Sequence, residues 1–359
     1  MAAIDWTDRE VRHRVEAVMV NPGDLDDELG VLPTVVGSAQ IDRGYYTDDR
    51  TGGTVETAAW DDYVLGAWIR LYHIGSTPAT GDVRVERGTF AIRDATIATG
   101  AGGIVFTFDL MSALGAISQD YDAWPMSIGQ GAKASAVIRS VCQKCGRPYT
   151  TGPQFVDYLW RTGAALEAGE TFRSRLFAIC TQTGNRMDVD AHGRLTFRQY
   201  VAPAQRTASM TLDVDDSRSV IVDGSIEPGT NLFTRPARSV VVYKDGDKVI
   251  SAQADVAQTS PTSCQRRGFT IAELHELNDM GSPKTVSHAQ QLAKSYLAGD
   301  SAPTATWQLE TLWLPLDQGD VVDFAPRRYD PFGDGGARKC LVQTVEETVD
   351  RLRLTLKEV

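Results

Sequence analysis

Apolar and polar residues alternate along the last segment of the chain. The apolar positions are Leu352, Leu354 and Leu356, and the cations between and beside them are Arg351, Arg353 and Lys357. A period of two is typical of a β-strand with one buried face and one exposed face. The same alternation over Val11–Met19 predicts an N-terminal strand, and Asn21–Asp24 predicts the turn after it. The chain is therefore expected to begin and end in β-structure.

The first third of the chain is predicted to be a block of strands. Beyond the N-terminal strand, the pattern predicts strands over 64–73, 82–87, 89–93 and 104–109. Segment 37–57 is rich in Gly, Asp and Thr and carries only scattered apolar residues, which predicts a loop or a long mobile hairpin tip. We expect this block to be a sheet folded on itself, as a barrel or a sandwich.

The spacing of apolar residues becomes helical after residue 109. It predicts a short helix over 110–117 and longer helices over 134–146 and 170–183, the last one ended by Gly184. Alternation around a polar turn then predicts a β-hairpin over 187–200. Two helices and a hairpin are expected to form one small α+β domain.

Strand-like alternation returns after residue 207, with one inserted helix predicted over 287–298. The predicted fold class is α+β and mostly β. Its domains are a first β-barrel or sandwich over 1–113, the small helix-helix-hairpin domain over 114–206, and a second β-barrel or sandwich over 207–359.

Composition narrows the class of protein. The chain has 359 residues, a mass of 39.1 kDa, 42% hydrophobic residues and a formal net charge of -11. The negative charge argues against a nucleic-acid-binding surface and suits a surface that DNA passes without sticking. The N-terminal segment lacks an apolar signal region, and no run of about eighteen apolar residues occurs. These patterns predict a soluble protein made in a cytoplasm.

Cys142 and Cys145 have the C-x-x-C spacing found in zinc sites and redox pairs. No second C-x-x-C or H-x-x-x-H supplies further ligands, and both residues lie at the end of an apolar helix, where small thiols pack well. The five cysteines are odd in number and scattered, unlike a disulfide framework. Mostly buried thiols are the favoured interpretation, and metal binding by this pair stays open.

Other short motifs lack the spacing that their chemistry needs. His275-Glu276 has Asp279 where a metalloprotease has its second histidine, so a surface helix or loop is predicted. Gly129–Lys133 lacks the spacing of a phosphate-binding loop and is predicted to be a helix entry. The acidic clusters 24–28 and 213–216 lack the glycine and terminal glutamate of a calcium loop, and solvated turns explain them.

No residue is assigned a catalytic, cofactor-binding or metal-ligating role, and no enzyme or cofactor is expected. The five histidines lack a sequence-local nucleophile, and no G-x-S-x-G motif occurs. Two alternatives remain. One is an enzyme with an unrecognised carboxylate pair. The other is a host-receptor-binding or carbohydrate-binding β module, whose sugar-stacking candidates are Trp60, Trp68, Trp124 and Trp160.

A loop with an acidic tip is predicted at Asp330–Gly336, between two strands of the final sheet. In an assembly, such a mobile tip could insert into a neighbouring subunit.

Several stretches together resemble the baseplate hub or tail-tip hub proteins of long-tailed bacteriophages. The stretches are 88–114, 170–200, 289–299, 314–324 and 340–359. In that family a strand leads into an aspartate and a short helix, a helix-hairpin domain follows, and a Gly-Asp step precedes the closing strands. The resemblance lies in element order and local sequence over most of the chain.

The resemblance implies two tail-tube-like β-barrel domains per subunit and a homotrimer that forms a pseudo-sixfold ring at the tail tip of the virion. The implied partners are the distal tail or tail-tube protein, the tape-measure protein and a tip or receptor-binding fibre protein. DNA would only pass through the lumen, and no membrane insertion is implied. Because the chain ends with its closing strand at Val359, we expect any lysozyme, peptidase or fibre extension to lie on another polypeptide.

Overall fold

A computed structural model describes most of the chain. The described residues are 4–8, 10–34, 38–47, 49–58, 66–100, 103–161, 163–216, 220–230, 234–245, 248–277, 285–300, 305–330 and 335–359. The fold is α+β and mostly β, as predicted. None of the helices in these ranges combines the length and the apolar character needed to cross a membrane.

The first part of the chain forms seven strands. They are β1 (Arg12–Asn21), β2 (Asp24–Leu32), β3 (Gln40–Gly44), β4 (Thr51–Ala58), β5 (Trp68–Thr77), β6 (Gly81–Gly100) and β7 (Gly103–Met111). The predicted N-terminal strand and its turn are confirmed. The loop predicted over 37–57 was wrong, because β3 and β4 occupy most of it. Gly53 was taken as a loop signal, yet it permits close strand approach: a Cβ there would lie 2.3 Å from the Gln40 carbonyl oxygen.

Strand β6 is one strand of 20 residues, where the sequence predicted two. Its first half pairs with β5 and its second half pairs with β7. Register shifts at Arg87 and Arg93 mark β-bulges, which bend a strand without ending it. The strand therefore carries the sheet from one half of the first block to the other.

The middle of the chain forms the predicted helices and hairpin. Its elements are α1 (Ala113–Ser118), β8 (Tyr121–Asp122), β9 (Met126–Ile128), α2 (Ala134–Lys144), β10 (Tyr149–Thr151), β11 (Ala164–Leu166), β12 (Glu170–Thr171), α3 (Phe172–Thr183), β13 (Asn185–Val189) and β14 (Leu195–Gln199). Gly184 ends α3 with a φ of 69°, and Met187 pairs with Phe197 across the hairpin. Helix α1 begins three residues later than predicted, because Leu110 and Met111 continue β7.

The last part of the chain forms the remaining described strands and two further helices. These elements are β15 (Met210–Asp213), β16 (Glu227–Thr230), β17 (Arg238–Asp245), β18 (Lys248–Asp255), α4 (Cys264–Arg267), β19 (Ala272–Leu277), α5 (Val286–Asp300), β20 (Ala305–Leu312), β21 (Val321–Ala325), β22 (Arg338–Glu347) and β23 (Arg351–Glu358). The predicted inserted helix is α5. It packs on a separate sheet of β18, β17 and β19, with which it shares a small core.

A 13-stranded sheet joins the first and last parts of the chain. Eleven of its strands follow the order β16-β20-β23-β22-β3-β4-β7-β6-β5-β1-β2, and the other two branch from it, with β21 pairing with β22 and β15 pairing with β21. Strand β22 is its branch point, since Thr344–Glu347 pair with β3 while the other end of β22 pairs with β21. Leu352, Leu354 and Leu356 of β23 are fully buried, which confirms the buried face predicted for the final strand. The pairing of β22 with β3 places residues from distant parts of the sequence side by side.

Candidate functional site

The pairing of β22 with β3 positions a buried charged group, which we call the junction cluster. It consists of Arg43 on β3, Arg87 on β6, Glu347 on β22, and Trp313 and Asp317 from the segment after β20. The side chains of Arg43, Arg87 and Glu347 are 3–4% exposed, whereas that of Asp317 is 55% exposed. The cluster thus links the first and last parts of the chain from inside the fold.

The Glu347 carboxylate is the centre of the junction cluster. It accepts hydrogen bonds from Arg43 Nη1, from Arg87 Nε at 3.1 Å and from Trp313 Nε1 at 2.8 Å. Arg43 Nη2 also donates to the Arg87 carbonyl at 2.6 Å, and Arg87 Nη2 donates to the Leu316 carbonyl at 3.1 Å. Both guanidinium groups reach the Asp317 carboxylate, at 3.2–3.3 Å. Each buried charge therefore has an opposite charge and several hydrogen bonds.

The electrostatics of Glu347 follow from this arrangement. Burial by itself raises the pKa of the Glu347 carboxyl, but the guanidinium groups of Arg87 and Arg43 outweigh burial and lower that pKa to about 2. Removing one partner from such a group leaves a buried charge without compensation, which is far costlier than losing an exposed ion pair. The cluster is therefore suited to fixing the relative position of two strands.

An aromatic stack continues from the junction cluster to the surface. The His73 ring lies parallel to Trp313, with ring centroids 3.6 Å apart, and His73 Nε2 lies 3.0 Å from His13 Nδ1. Trp6 packs on Trp313, with ring centroids 4.6 Å apart. Burial lowers the pKa of His73 to about 3, although the Glu347 charge opposes this shift. A neutral imidazole is therefore built into the fold.

Tyr45 joins the middle of the chain to the same region. Its hydroxyl accepts a hydrogen bond from Arg206 Nη2 at 2.6 Å, and the Arg186 guanidinium lies 3.6 Å from its ring centroid. Gly319 has a φ of +88°, and a Cβ there would lie 2.7 Å from the Tyr45 ring. The Gly-Asp step at Gly319-Asp320 thus has a physical reason: only glycine fits against Tyr45 in this conformation.

A polar cavity of about 590 Å³ lies where the three parts of the chain meet. Its charged lining residues are the arginines Arg43, Arg87, Arg186, Arg198 and Arg206 and the acids Glu86, Asp188, Asp190, Asp317 and Asp320. Because cations and carboxylates balance, the lining does not favour a polyanion such as DNA. In the described ranges, no group of three or more His, Cys, Asp or Glu side chains is placed to hold a metal ion.

Sequence reasoning missed the junction cluster, since its members are far apart in the chain. The sequence contained one local signal. Val345 and Glu347 are buried while Glu346 between them is exposed, so Glu347 lies at a position where an alternating strand normally has an apolar residue. Arg43 lies in the segment predicted to be a loop, and Arg87 lies at the end of the strand predicted over 82–87. The residues around each arginine carry no pattern that indicates a buried side chain.

The cysteines are single thiols in the structure, and they are mostly buried, as predicted. Cys142 is buried, and the Cys145 thiol donates to the Cys142 carbonyl at 3.4 Å. Burial raises the pKa of both thiols. A redox pair instead needs a thiolate formed near neutral pH. This geometry gives the C-x-x-C pair a packing role at the end of α2.

We predict that one cysteine of the five reacts rapidly in the native protein. Cys264 is exposed, whereas burial and raised pKa values suppress the thiolate at Cys142, Cys145, Cys180 and Cys340. Titration with a chromogenic disulfide at pH 8 should release one equivalent before unfolding and five after it. Cys264→Ser should abolish the native equivalent, and a fast equivalent that is lost in Cys145→Ser would contradict this prediction.

The remaining motifs are placed as follows. His275-Glu276 lies on strand β19, so the predicted surface helix or loop was wrong; His275 stacks on Tyr296 of α5 with centroids 4.1 Å apart. Gly129–Lys133 leads into α2, which confirms a helix entry. The acidic cluster 24–28 forms most of β2, so the solvated turn predicted there was wrong.

The other acidic segments carry ion pairs. Asp213 ends β15 and pairs with Arg327. A mobile tip was predicted over Asp330–Gly336, and the prediction was wrong for its first residue. The Asp330 side chain is fully buried, forms an ion pair with Arg338 at 2.7 Å and accepts a hydrogen bond from the Gly335 amide at 3.2 Å. Residues 331–334 lie outside the described ranges.

Of the three described tryptophans proposed for sugar stacking, two do not offer a ring face. Trp68 and Trp160 are 6% and 5% exposed and pack in the core around α2 and α3, and Trp60 lies outside the described ranges. Trp124 is 74% exposed. A stacking platform built from several of these rings is therefore not present in the described structure.

The fold defined by these elements is that of tail proteins, some from prophages, and of VgrG-containing complexes. A tail protein from Neisseria meningitidis MC58 matches with a TM-score of 0.63 at 12% identity, covering 96% of both chains. The 43 kDa tail protein of prophage MuSo2 from Shewanella oneidensis matches at 0.62 and 11%, covering 96% of this chain and 98% of that one. The predicted tail-type fold is confirmed.

A longer protein shares the fold over part of its length. In a PdpA-VgrG complex from Francisella, the match has a TM-score of 0.57 at 8% identity and covers 98% of this chain but 53% of the other. No protein-family model matches the chain, and no curated protein matches it. These likenesses, at 8–12% identity, establish the fold.

Proposed function

We propose that this chain is a structural hub of a phage tail tip or baseplate. Three copies would form a pseudo-sixfold ring that joins the end of the tail tube to the tip or fibre proteins. Its channel would pass the tape-measure protein and then DNA. The observation that carries this proposal is the likeness to two tail proteins over 96% of the chain.

The main sheet supports assembly with further subunits. Strands β2 and β16 stand at the two ends of its strand order, and within the described ranges no strand pairs with their outer sides. Open edges favour uncontrolled association, so proteins cover them with another element or carry charge there. Strand β2 carries four acidic residues, and a closed ring would cover such edges with neighbouring subunits.

The junction cluster supports a mechanical role. A ring under load needs subunits whose parts keep their relative positions, and Glu347 ties β22 to β3 and β6 through paired buried charges. The net charge of -11 suits a channel that DNA passes without binding. We propose that the role of the hub itself is structural, in line with the tail proteins that share its fold.

Localisation and copy number test this function. Purified particles would be labelled with an antibody against this chain and viewed by electron microscopy, and copy number would be measured by quantitative mass spectrometry. We expect label at the tail tip and about three copies per particle, as a closed threefold ring requires. Antibodies against capsid and tube proteins serve as controls. Absence from particles, or label along the tail or on the capsid, would contradict the proposal.

A further inference from the structure

An N-terminal segment, residues 4–8, lies across the first and last parts of the chain and belongs to no strand or helix. We call this segment the strap. The ring centroid of its Trp6 lies 4.6 Å from that of Trp313 and 5.7 Å from that of His73. Trp6 also packs against the apolar core of the last part of the chain. The strap therefore adds a layer to the aromatic stack that starts at the junction cluster.

Gly75 on β5 provides the space that the strap occupies. A Cβ at this position would lie 2.3 Å from Trp6 Cζ3 and 3.0 Å from Ile4 Cδ1. The interior of a protein has no spare room for such an overlap, so any residue larger than glycine would displace the strap. The docked position of the strap thus depends on the fit of two apolar side chains against one strand.

Two imidazole rings lie beside Trp6 in this stack. His73 is fully buried, its Nε2 lies 3.0 Å from His13 Nδ1, and its Nδ1 has no hydrogen-bond partner in the described structure. The His13 ring stacks on Trp6 with centroids 6.3 Å apart. Two protonated imidazoles at this distance would repel each other, and a charged His73 would leave a buried N–H donor unpaired. The docked strap therefore favours neutral imidazoles.

The charged groups that face the two histidines offset such a charge only in part. His73 faces Glu347, whose carboxylate is already held by the arginines of the junction cluster, and the Arg87 charge opposes a proton on His73. His13 faces Asp350. Burial outweighs the attraction of both carboxylates and lowers the pKa of the two histidines, that of His73 to about 3. A cavity of about 790 Å³ beside His13 is lined by further charged side chains, which are Asp8, Asp216, Asp223 and Arg328.

We propose that the strap is an acid-operated switch: a proton that enters the His13–His73 pair expels Trp6 from the stack and frees residues 4–8, while the main sheet stays folded. The released strap leaves the imidazoles open to water and uncovers Trp313. The result is a second conformation of the chain that is reached without unfolding. Because the switch lies within one chain, it does not rest on the proposed function.

The sign of the pH dependence follows from the two histidines. Their pKa values are lower with the strap docked than the ordinary 6.5, so docking is fully stable above pH 6.5 and is weakened as the pH falls towards 3. Each pH unit in this range favours release by up to about tenfold per histidine. Glu347 keeps its full contribution down to pH 4.5. Between pH 6.5 and 4.5 the strap is therefore released while the junction cluster still holds the sheet.

Fluorine NMR of the full chain labelled with 5-fluorotryptophan tests the proposal, with the Trp6 signal assigned by its loss in Trp6→Phe. Between pH 7.5 and 4.5 we expect this signal to move to the position that it has in urea-unfolded protein. The signals of Trp68 and Trp160, which lie in the core around α2 and α3, should keep their folded positions. In the double variant His13→Gln/His73→Phe, which has no titratable ring in the stack, the Trp6 signal should stay at its docked position.

Gly75→Ala separates the position of the strap from the titration, because a Cβ there meets Trp6 but changes no ionisable group. Its Trp6 signal should be at the released position already at pH 7.5. Gly129→Ala is the matched control, since a Cβ there meets nothing within 4 Å, and it should behave like the parent. The proposal is overturned by a parent Trp6 signal that stays docked at pH 4.5 or moves only together with those of Trp68 and Trp160. Equal movement in the double histidine variant, or a docked signal in G75A, would overturn it as well.

Discussion

Glu347→Gln should lower the free energy of unfolding by about 3–5 kcal/mol, the cost of leaving buried charges without their partner. Glutamine keeps the size of the side chain but removes the negative charge that compensates Arg43 and Arg87, both almost fully buried. Asp317 cannot take over, because its side chain is about half exposed and already contacts both guanidinium groups. Urea-induced unfolding followed by far-UV circular dichroism measures the loss.

The neighbouring residue provides the matched control. Glu346 lies on the same strand but its side chain is 52% exposed, with Arg353 at 3.8 Å, so Glu346→Gln should change stability by less than about 0.5 kcal/mol. A second variant tests the cause. Replacing Arg43, Arg87 and Glu347 together by Met, Met and Leu should cost less than E347Q alone, because no buried charge is left unpaired. Equal midpoints for E347Q and E346Q would contradict the role assigned to the cluster.

The pH dependence of this contribution has a definite sign. The pKa of Glu347 is lowered in the fold to about 2 from an ordinary 4.5, so the unfolded chain takes up this proton first as the pH falls. The stability from Glu347 is therefore complete above pH 4.5 and is lost between 4.5 and 2. E347Q should lack this acid-sensitive component, which the same titrations can show.

Local sequence patterns were sufficient where a single element determines its own environment. The alternation of Leu352, Leu354 and Leu356 predicted β23, and helical spacing followed by Gly184 predicted α3. Both predictions succeeded because an element that buries one face has apolar residues at regular intervals in the sequence. The element order was enough to suggest a tail-type fold, which three-dimensional comparison then confirmed.

The same patterns failed where glycine and charge serve contacts between distant segments. The glycines of β4 predicted a loop, yet they allow β3 and β4 to approach within the sheet. Glu347 and Arg43 are 304 positions apart, and only the pairing of β22 with β3 brings them together. The separate sheet under α5 was missed for a similar reason: the residues of β19 were predicted as a surface helix or loop, and nothing in the sequence shows that they pair with β17.

Acidification should destabilise the protein through His73 before it affects the carboxylates. The pKa of His73 is lowered to about 3 from an ordinary 6.5 by burial against Trp313, so the unfolded chain binds a proton over a range where the folded chain does not. Stability from this residue is complete above pH 6.5 and is lost as the pH falls towards 3. Between pH 7 and 5 the loss should be about 2 kcal/mol.

His73→Phe isolates this effect, because phenylalanine can keep the stacking on Trp313 but does not titrate. The free energies of unfolding of parent and variant are compared at pH 7 and pH 5, and the parent should lose about 2 kcal/mol more than H73F on acidification. Asp320, whose pKa is also shifted, is present in both proteins and largely cancels in this difference, whereas His13 lies 3.0 Å from His73 and counts with it. His288→Gln, at an exposed histidine, should behave like the parent. Equal losses in parent and H73F would show that His73 is not held neutral by the fold.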